Sequence, residues 1–157
     1  MVGFHAMMGT PDGVLNHTQN SRAENRYWYN GVESGELAQN AAIAGYYGVP
    51  VIMVTGDEAT CREAGNFFGN NLVTVAVKKG ISREAAILYP FQETRKALYE
   101  GAKKAMTVIS SCEPYIIKTP VTVRKQFLNR DPKLPEPELV VEEWIAKDAL
   151  HILAPEK

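Results

Sequence analysis

Between residues 50 and 110 the spacing of apolar positions alternates between two periods. Residues 50–55 (PVIMVT) form an unbroken apolar run closed by Gly56-Asp57, the pattern of a buried parallel strand. From 58 to 68 the period lengthens to that of a helix, with Ala59, Cys61, Ala64, Phe67 and Phe68 among its apolar positions. Asp57 is placed to cap that helix and Glu58 to occupy its first turn. Residues 72–77 predict a second strand, Lys78-Lys79 a solvated turn, and 82–89 a weak helix. Pro90 sits at a possible first position of a longer helix reaching about Ser110. Phe91, Leu98, Ala102, Ala105, Met106 and Ile109 share one broad face of it. Strand–helix–strand–helix order predicts an α/β class, a layered sheet with flanking helices.

Outside this stretch the signals are local. Residues 2–7 (VGFHAM) predict a short strand with His5 at or near its end. Residues 9–20, rich in Gly, Pro, Asp and Asn, predict a loop. Tyr27, Trp28 and Tyr29 favour a strand, Asn30-Gly31 a hairpin turn, and 31–33 a brief return. Ser34 is placed to cap a helix carrying Leu37, Ala41 and Ala44 and stopped at Gly48. Residues 115–128 predict β structure interrupted by Pro120, 131–138 a proline-rich polar linker, and 139–153 a strand and then a helix. The chain therefore divides into residues 1–128 and a linker with a terminal strand/helix segment at 129–157.

Composition narrows the class. Of 157 residues, 45% are hydrophobic and 22% charged, which is a soluble globular balance able to bury a core. A net charge of −1 supplies no long-range attraction for nucleic acid or an anionic membrane. No apolar stretch approaches the roughly 20 residues that span a bilayer, and no signal peptide is visible. Cys61 and Cys112 lie in no CxxC or Cys/His spacing, so they imply no zinc site and fit a reducing, cytoplasmic setting.

The candidate chemistry lies near the start. Of three histidines, His5 precedes the polar loop and His17 lies within it, whereas His151 sits in the least specific context. Loops held by a rigid scaffold are where reactive groups often sit, and a strand end in an α/β sheet is a common ligand position. Glu36 opens a predicted helix. Imidazole and carboxylate together suit zinc. Each residue also has an ordinary reading: a hydrogen-bonded strand-end histidine, an acidic residue in a first turn, and a helix cap at Asp57. The spacings of 12 and 19 residues match no compact metal motif. Tyr27-Trp28-Tyr29 reads as a hairpin packing surface, and Met7-Met8 as core or pocket wall.

Taken in order, GFHAMMGTPDGVLNHT and YNGVESGELAQNAAIAGYYGVPVIMVTGDE resemble the self-compartmentalising zinc D-aminopeptidase family, the DppA type, over about residues 2–110. The resemblance implies that His5 and Glu36 are zinc ligands and His17 an active-site histidine outside the metal shell. It implies two zinc ions, short peptide substrates with an N-terminal D-amino acid, and a homo-oligomer built as a decamer of two five-membered rings. The family's Asp-x-Glu-Gly motif and a further histidine, which supply its other ligands, precede the segment matching His5 and are not found here. The chain thus resembles the C-terminal portion of such an enzyme, lacking the N-terminal portion of the fold, with a separate N-terminal half as a possible partner. Weak or absent zinc binding, little hydrolysis alone, and exposed apolar surface that drives self-association follow as expectations. The alternative reading is a non-catalytic assembly or small-ligand-binding relic of the same fold.

Overall fold

The computed structural model describes residues 1–155. Two sheets share one helix. The first is antiparallel, in the order β2 (Val32–Glu33), β1 (Arg26–Tyr29), β6 (Val121–Asn129), β7 (Glu138–Ala146). The second joins β3 (Met53–Asp57) in parallel to β4 (Val73–Ser82), with β5 (Ala85–Leu88) antiparallel at its edge. Between them lies α1 (Glu36–Tyr46), which buries Leu37, Ala38, Gln39, Ala41, Ala42 and Gly45. Leu37 and Ala41 pack with Val51, Val54, Ala64 and Leu72 under the β3–β4 sheet. Ala42, on the adjoining side of α1, packs with Tyr27, Tyr29, Val121, Val123 and Ile152 of the other layer. Small side chains let both layers approach the helix backbone closely.

α2 (Glu58–Phe68) makes the β3-to-β4 crossover that parallel strands require. Its start is fixed by Asp57, whose Oδ1 accepts from the Thr60 amide and hydroxyl, both at 2.7 Å. The expected cap and the expected bounds of this helix are both observed. α3 (Phe91–Thr107) covers the other face of the sheet, with Gly101 and Ala105 against Val73 and Val75. Its remaining apolar residues are less covered: Phe91, Tyr99 and Met106 are exposed, as are Ile81, Ile87 and Leu88 nearby. Among the described residues no helix is long and apolar enough to cross a membrane.

Five local expectations are corrected. Residues 1–4 run beside β3, with Met1 N bonded to Met53 O, Thr55 N to Met1 O, and Phe4 N to Thr55 O, but form no regular strand. Gly3 has φ 71°, a left-handed conformation that breaks the extended backbone, and the Phe4 bond is the last of these to β3 before His5. Residues 85–88 are β5 and not part of a helix: pairing with an extended β4 overrides the helical preference of Ala85-Ala86. Lys78-Lys79 accordingly lie within β4 and not in a turn. Ser34 does not cap α1; the cap position is Gly35, and the Ser34 hydroxyl turns back to the Val32 carbonyl at 3.0 Å. Residues 131–138, expected as a proline-rich polar linker, connect two paired strands. They close a hairpin, since Asn129 pairs with Glu138 and β7 lines β6 throughout, with Ala146, Ala149 and Ile152 in the same core as Tyr27.

Gly45 provides a test of the packing around α1. A helix-interior Gly→Ala change ordinarily gains about 1 kcal/mol from propensity. Here the added Cβ would lie 2.1 Å from the Tyr115 carbonyl oxygen. Gly45→Ala is expected to destabilise the protein by about 1–3 kcal/mol, read as a lower midpoint in urea unfolding.

Candidate functional site

The segment carrying His5 leaves the edge of β3 and folds into a compact pad over residues 6–20 that buries Ala6, Met8, Val14, Asn16 and Thr18. Polar side chains satisfy its backbone from within. The Met8 amide donates to Thr18 Oγ1 at 3.2 Å, the Gly9 amide to Asn16 Oδ1 at 2.9 Å, and Asn16 Nδ2 to the Gly13 carbonyl at 2.9 Å. The pad is tied down from β3 and α2. Asp57, 1% exposed, accepts the Val14 amide on Oδ2 at 2.7 Å. Arg62 donates to both carboxylate oxygens of Asp12 at 2.6 Å. Asp57 therefore both caps α2 and anchors the loop.

The tie that brings the two histidines together is the His17 amide, which donates to the Ala6 carbonyl at 3.2 Å. Their ring centroids lie 5.1 Å apart. Leu15 and Gln19, on either side of His17, have φ of 52° and 64°. Left-handed backbone at two non-glycine residues costs strain, which concentrates where function requires a particular geometry. Its effect here is visible. The turn at Leu15 directs its carbonyl at His17 Nδ1, 2.7 Å away, and the turn at Gln19 directs its amide at Glu36 Oε1, 3.0 Å away. A carbonyl only accepts, so Nδ1 of His17 carries a proton and Nε2 is directed outward. It stands 3.8 Å from Glu36 Oε2.

The structure thus brings His5, His17 and Glu36 from three separate stretches into one cluster. Burial lowers the basicity of His5 most, and His17 and Lys78 add to that, while the Asp57 and Glu36 carboxylates oppose it. Burial thus disfavours the charged form, and the neutral imidazole is the form that ligates metals. Among the described residues no three His, Cys, Asp or Glu side chains are arranged to hold a metal ion by themselves. His151 lies elsewhere, its Nδ1 2.5 Å from Asp148 Oδ1. Trp28 sits on β1 between the guanidinium groups of Arg26 and Arg124, at 5.7 and 5.5 Å, as part of the hairpin surface.

One acidic residue beside the cluster was not read from the sequence. Glu63, in α2, is 6% exposed; its Oε2 accepts the Met7 amide at 2.7 Å and its Oε1 has no hydrogen-bond partner. Burial pushes its carboxyl up to about 7; the Met7 amide opposes this, and Asp57, Glu33 and Glu36 add to it. In sequence it is one more helical glutamate, and only the distant Met7 and Gly35 make it unusual.

A family model described as D-aminopeptidase matches residues 1–132. The chain belongs to the D-aminopeptidase family. It is 43% identical over 84 residues to the D-aminopeptidase of Bacillus subtilis (strain 168), a match covering 54% of this chain and 30% of that protein. Among solved structures it is similar to the Zn-dependent D-aminopeptidase DppA from Bacillus subtilis, a self-compartmentalizing protease. That likeness has a TM-score of 0.82 and 30% identity, and covers 94% of this chain and 56% of that one. This D-aminopeptidase-family chain therefore carries part of the DppA-like α/β fold and spans about half the length of that neighbour.

The position of Glu63 makes stability depend on pH. Its carboxyl titrates at an ordinary 4.5 when unfolded and at about 7 when folded. Between those values the folded state binds the extra proton, so this group's contribution is greatest below pH 4.5 and is lost as pH rises through about 7. Glu63→Gln removes that dependence. Urea unfolding across this range is expected to show the variant gaining on the wild type by on the order of 3 kcal/mol at the alkaline end.

Proposed function

We propose that this chain supplies part of the active site of a zinc-dependent aminopeptidase that removes N-terminal D-amino acids from short peptides, with His5 and Glu36 as metal ligands and His17 as an acid–base group beside them. The observation carrying this reading is the cluster itself. Two imidazoles and a carboxylate from separate stretches meet on a strained, well-anchored loop next to a helix start. The family membership and the similarity to a Zn-dependent D-aminopeptidase support it.

The donor chemistry fits zinc. Burial disfavours the charged form of His5, and Glu36 accepts the Gln19 amide on one oxygen while the other stays directed at the cluster. With Nδ1–H given to Leu15, a neutral His17 turns a bare Nε2 lone pair toward Glu36 Oε2, two acceptors face to face at 3.8 Å. Two acceptors so placed suit a cation held between them. Tight zinc sites use three or four protein ligands, so donors additional to His5 and Glu36 complete the site. Those donors, in a longer polypeptide or a second one, are part of the proposal. A zinc ion held there supplies Lewis acidity toward a peptide carbonyl.

The chain's own groups do the rest. Leu15 fixes the His17 tautomer, so that Nε2 is the atom that takes up or delivers a proton at the substrate. The exposed apolar residues of α3 and β5 suit a contact between subunits, in keeping with an oligomeric, self-enclosing assembly.

Calorimetric zinc titration of the chain alone is expected to give weak binding that His5→Ala or Glu36→Gln removes. Submicromolar binding that survives His5→Ala would overturn the ligand assignment. When the chain is co-expressed with a polypeptide bearing the Asp-x-Glu-Gly motif and a further histidine, cleavage of D-alanyl peptides is expected. In that complex His17→Ala should lower kcat by about 10²–10⁴-fold with the zinc content unchanged. Loss of zinc instead would make His17 a ligand, and no cleavage by the wild-type complex would favour the non-catalytic reading.

A further inference from the structure

Glu63 reaches from α2 into the place where the segment bearing His5 meets the turn bearing Glu36. An ideal Cβ on Gly35 would lie 2.6 Å from Met7 Cβ and 2.8 Å from Glu63 Oε1. Gly35 has φ −86°, which any residue adopts, so it is contact and not backbone conformation that demands glycine. Met7, Gly35 and Glu63 are thus packed with no room to spare. Gly35 directly precedes Glu36, and Met7 follows His5 by two residues.

The hydrogen bonds make that contact directional. The Met7 N–H and the Ala6 C=O belong to one peptide plane. The plane donates to Glu63 Oε2 at 2.7 Å and accepts from the His17 amide at 3.2 Å. Tilting it moves His17 relative to His5. The next carbonyl, of Met7, accepts from the Thr10 amide at 3.2 Å and the Thr10 hydroxyl at 2.9 Å, so the segment is also fixed on its far side. A buried carboxyl with one oxygen unpartnered is costly, and an aliphatic side chain would fill the same volume more cheaply. What the carboxyl adds is the bond to this plane.

We propose that Glu63 is a positioning residue: by holding the Ala6–Met7 peptide plane against Gly35, it sets the separation of His5, His17 and Glu36. The proposal rests on the reading of those three residues as the site, but the geometry it asserts can be measured without metal.

The test compares three variants of the full chain. Glu63→Met removes the acceptor at similar volume, Glu63→Gln keeps an acceptor for the Met7 amide, and Gly35→Ala pushes on the same contact from the other side. In metal-free protein the imidazole Cε1–H resonances of His5, His17 and His151 are followed by NMR. Glu63→Met and Gly35→Ala should displace His5 and His17 and move the titration midpoint of His5. Glu63→Gln should stay at the wild-type positions, and His151, paired with Asp148, should be unmoved in all three.

Displacement of His151 along with the others, or of none, would overturn the proposal, as would Glu63→Gln behaving like Glu63→Met. Should Glu63→Met not fold, Gly35→Ala decides by the same criteria. A second arm titrates cobalt(II) and reads its visible d–d absorption. Glu63→Met is expected to weaken uptake by about 10–100-fold with an altered spectrum. If the wild type itself takes up no cobalt, the metal-site reading fails, and the imidazole resonances still decide the role of Glu63.

Discussion

Burial of α1 between two sheets is the constraint from which the rest follows. Its buried apolar positions are Leu37, Ala38, Ala41, Ala42 and Gly45, small except for the first, with the polar Gln39 buried beside them. Burying Leu37 contributes about 1.5–3 kcal/mol by removal from water, and the alanines bring both sheets within packing distance of one backbone. The helix is thereby fixed in position and direction, and so is its first residue, Glu36. A carboxylate at a helix start is favoured by the peptide dipoles. Here the helix cannot shift to follow it, because Gly45 at the other end meets the Tyr115 carbonyl. The core sets where the carboxylate stands, and the Gln19 amide adds a hydrogen bond to its Oε1.

The histidines are placed by different means. No regular element carries them. His5 lies just past the last of the bonds to β3, made by Phe4, and His17 lies between two left-handed residues in an irregular loop. Such a segment would be mobile if its backbone were solvated. Instead its amides are consumed by Asp57, Glu63, Thr18 and Asn16, side chains buried at 8% exposure or less. Buried polar groups of this kind are costly singly and rigidifying when satisfied. Rigidity in this half of the site comes from polar satisfaction, whereas in the other half it comes from apolar packing.

That division decides what could be read from the amino-acid order. α2 was legible to its ends because Asp57 is a local cap and the apolar spacing after it is helical. The Asn30-Gly31 turn was legible because its chemistry is contained in two residues. The parallel β3 was legible from an apolar run, although its strand begins later than the run does. Residues 85–88 misled, because alanine-rich sequence prefers a helix until a long β4 offers its edge. Ser34 misled as a cap because it is needed by the hairpin behind it. Of the cluster, His5, His17 and Glu36 were reached through an ordered resemblance and not through their spacing, which matches no compact motif. Glu63 was not reached at all, because its partners lie 56 and 28 positions away in the chain and nothing near it is out of the ordinary.

The distribution of aromatic side chains has an optical consequence. The two tryptophans, Trp28 on β1 and Trp144 on β7, both belong to the antiparallel sheet, and neither the β3–β4 layer nor the histidine loop contains one. Tryptophan emission therefore monitors that layer and not the other. Far-UV dichroism, dominated by α1, α2 and α3, weights the shared helix and the β3–β4 layer. The degree to which the two signals change together during denaturation is a direct gauge of how firmly a single shared helix makes two layers behave as one cooperative unit.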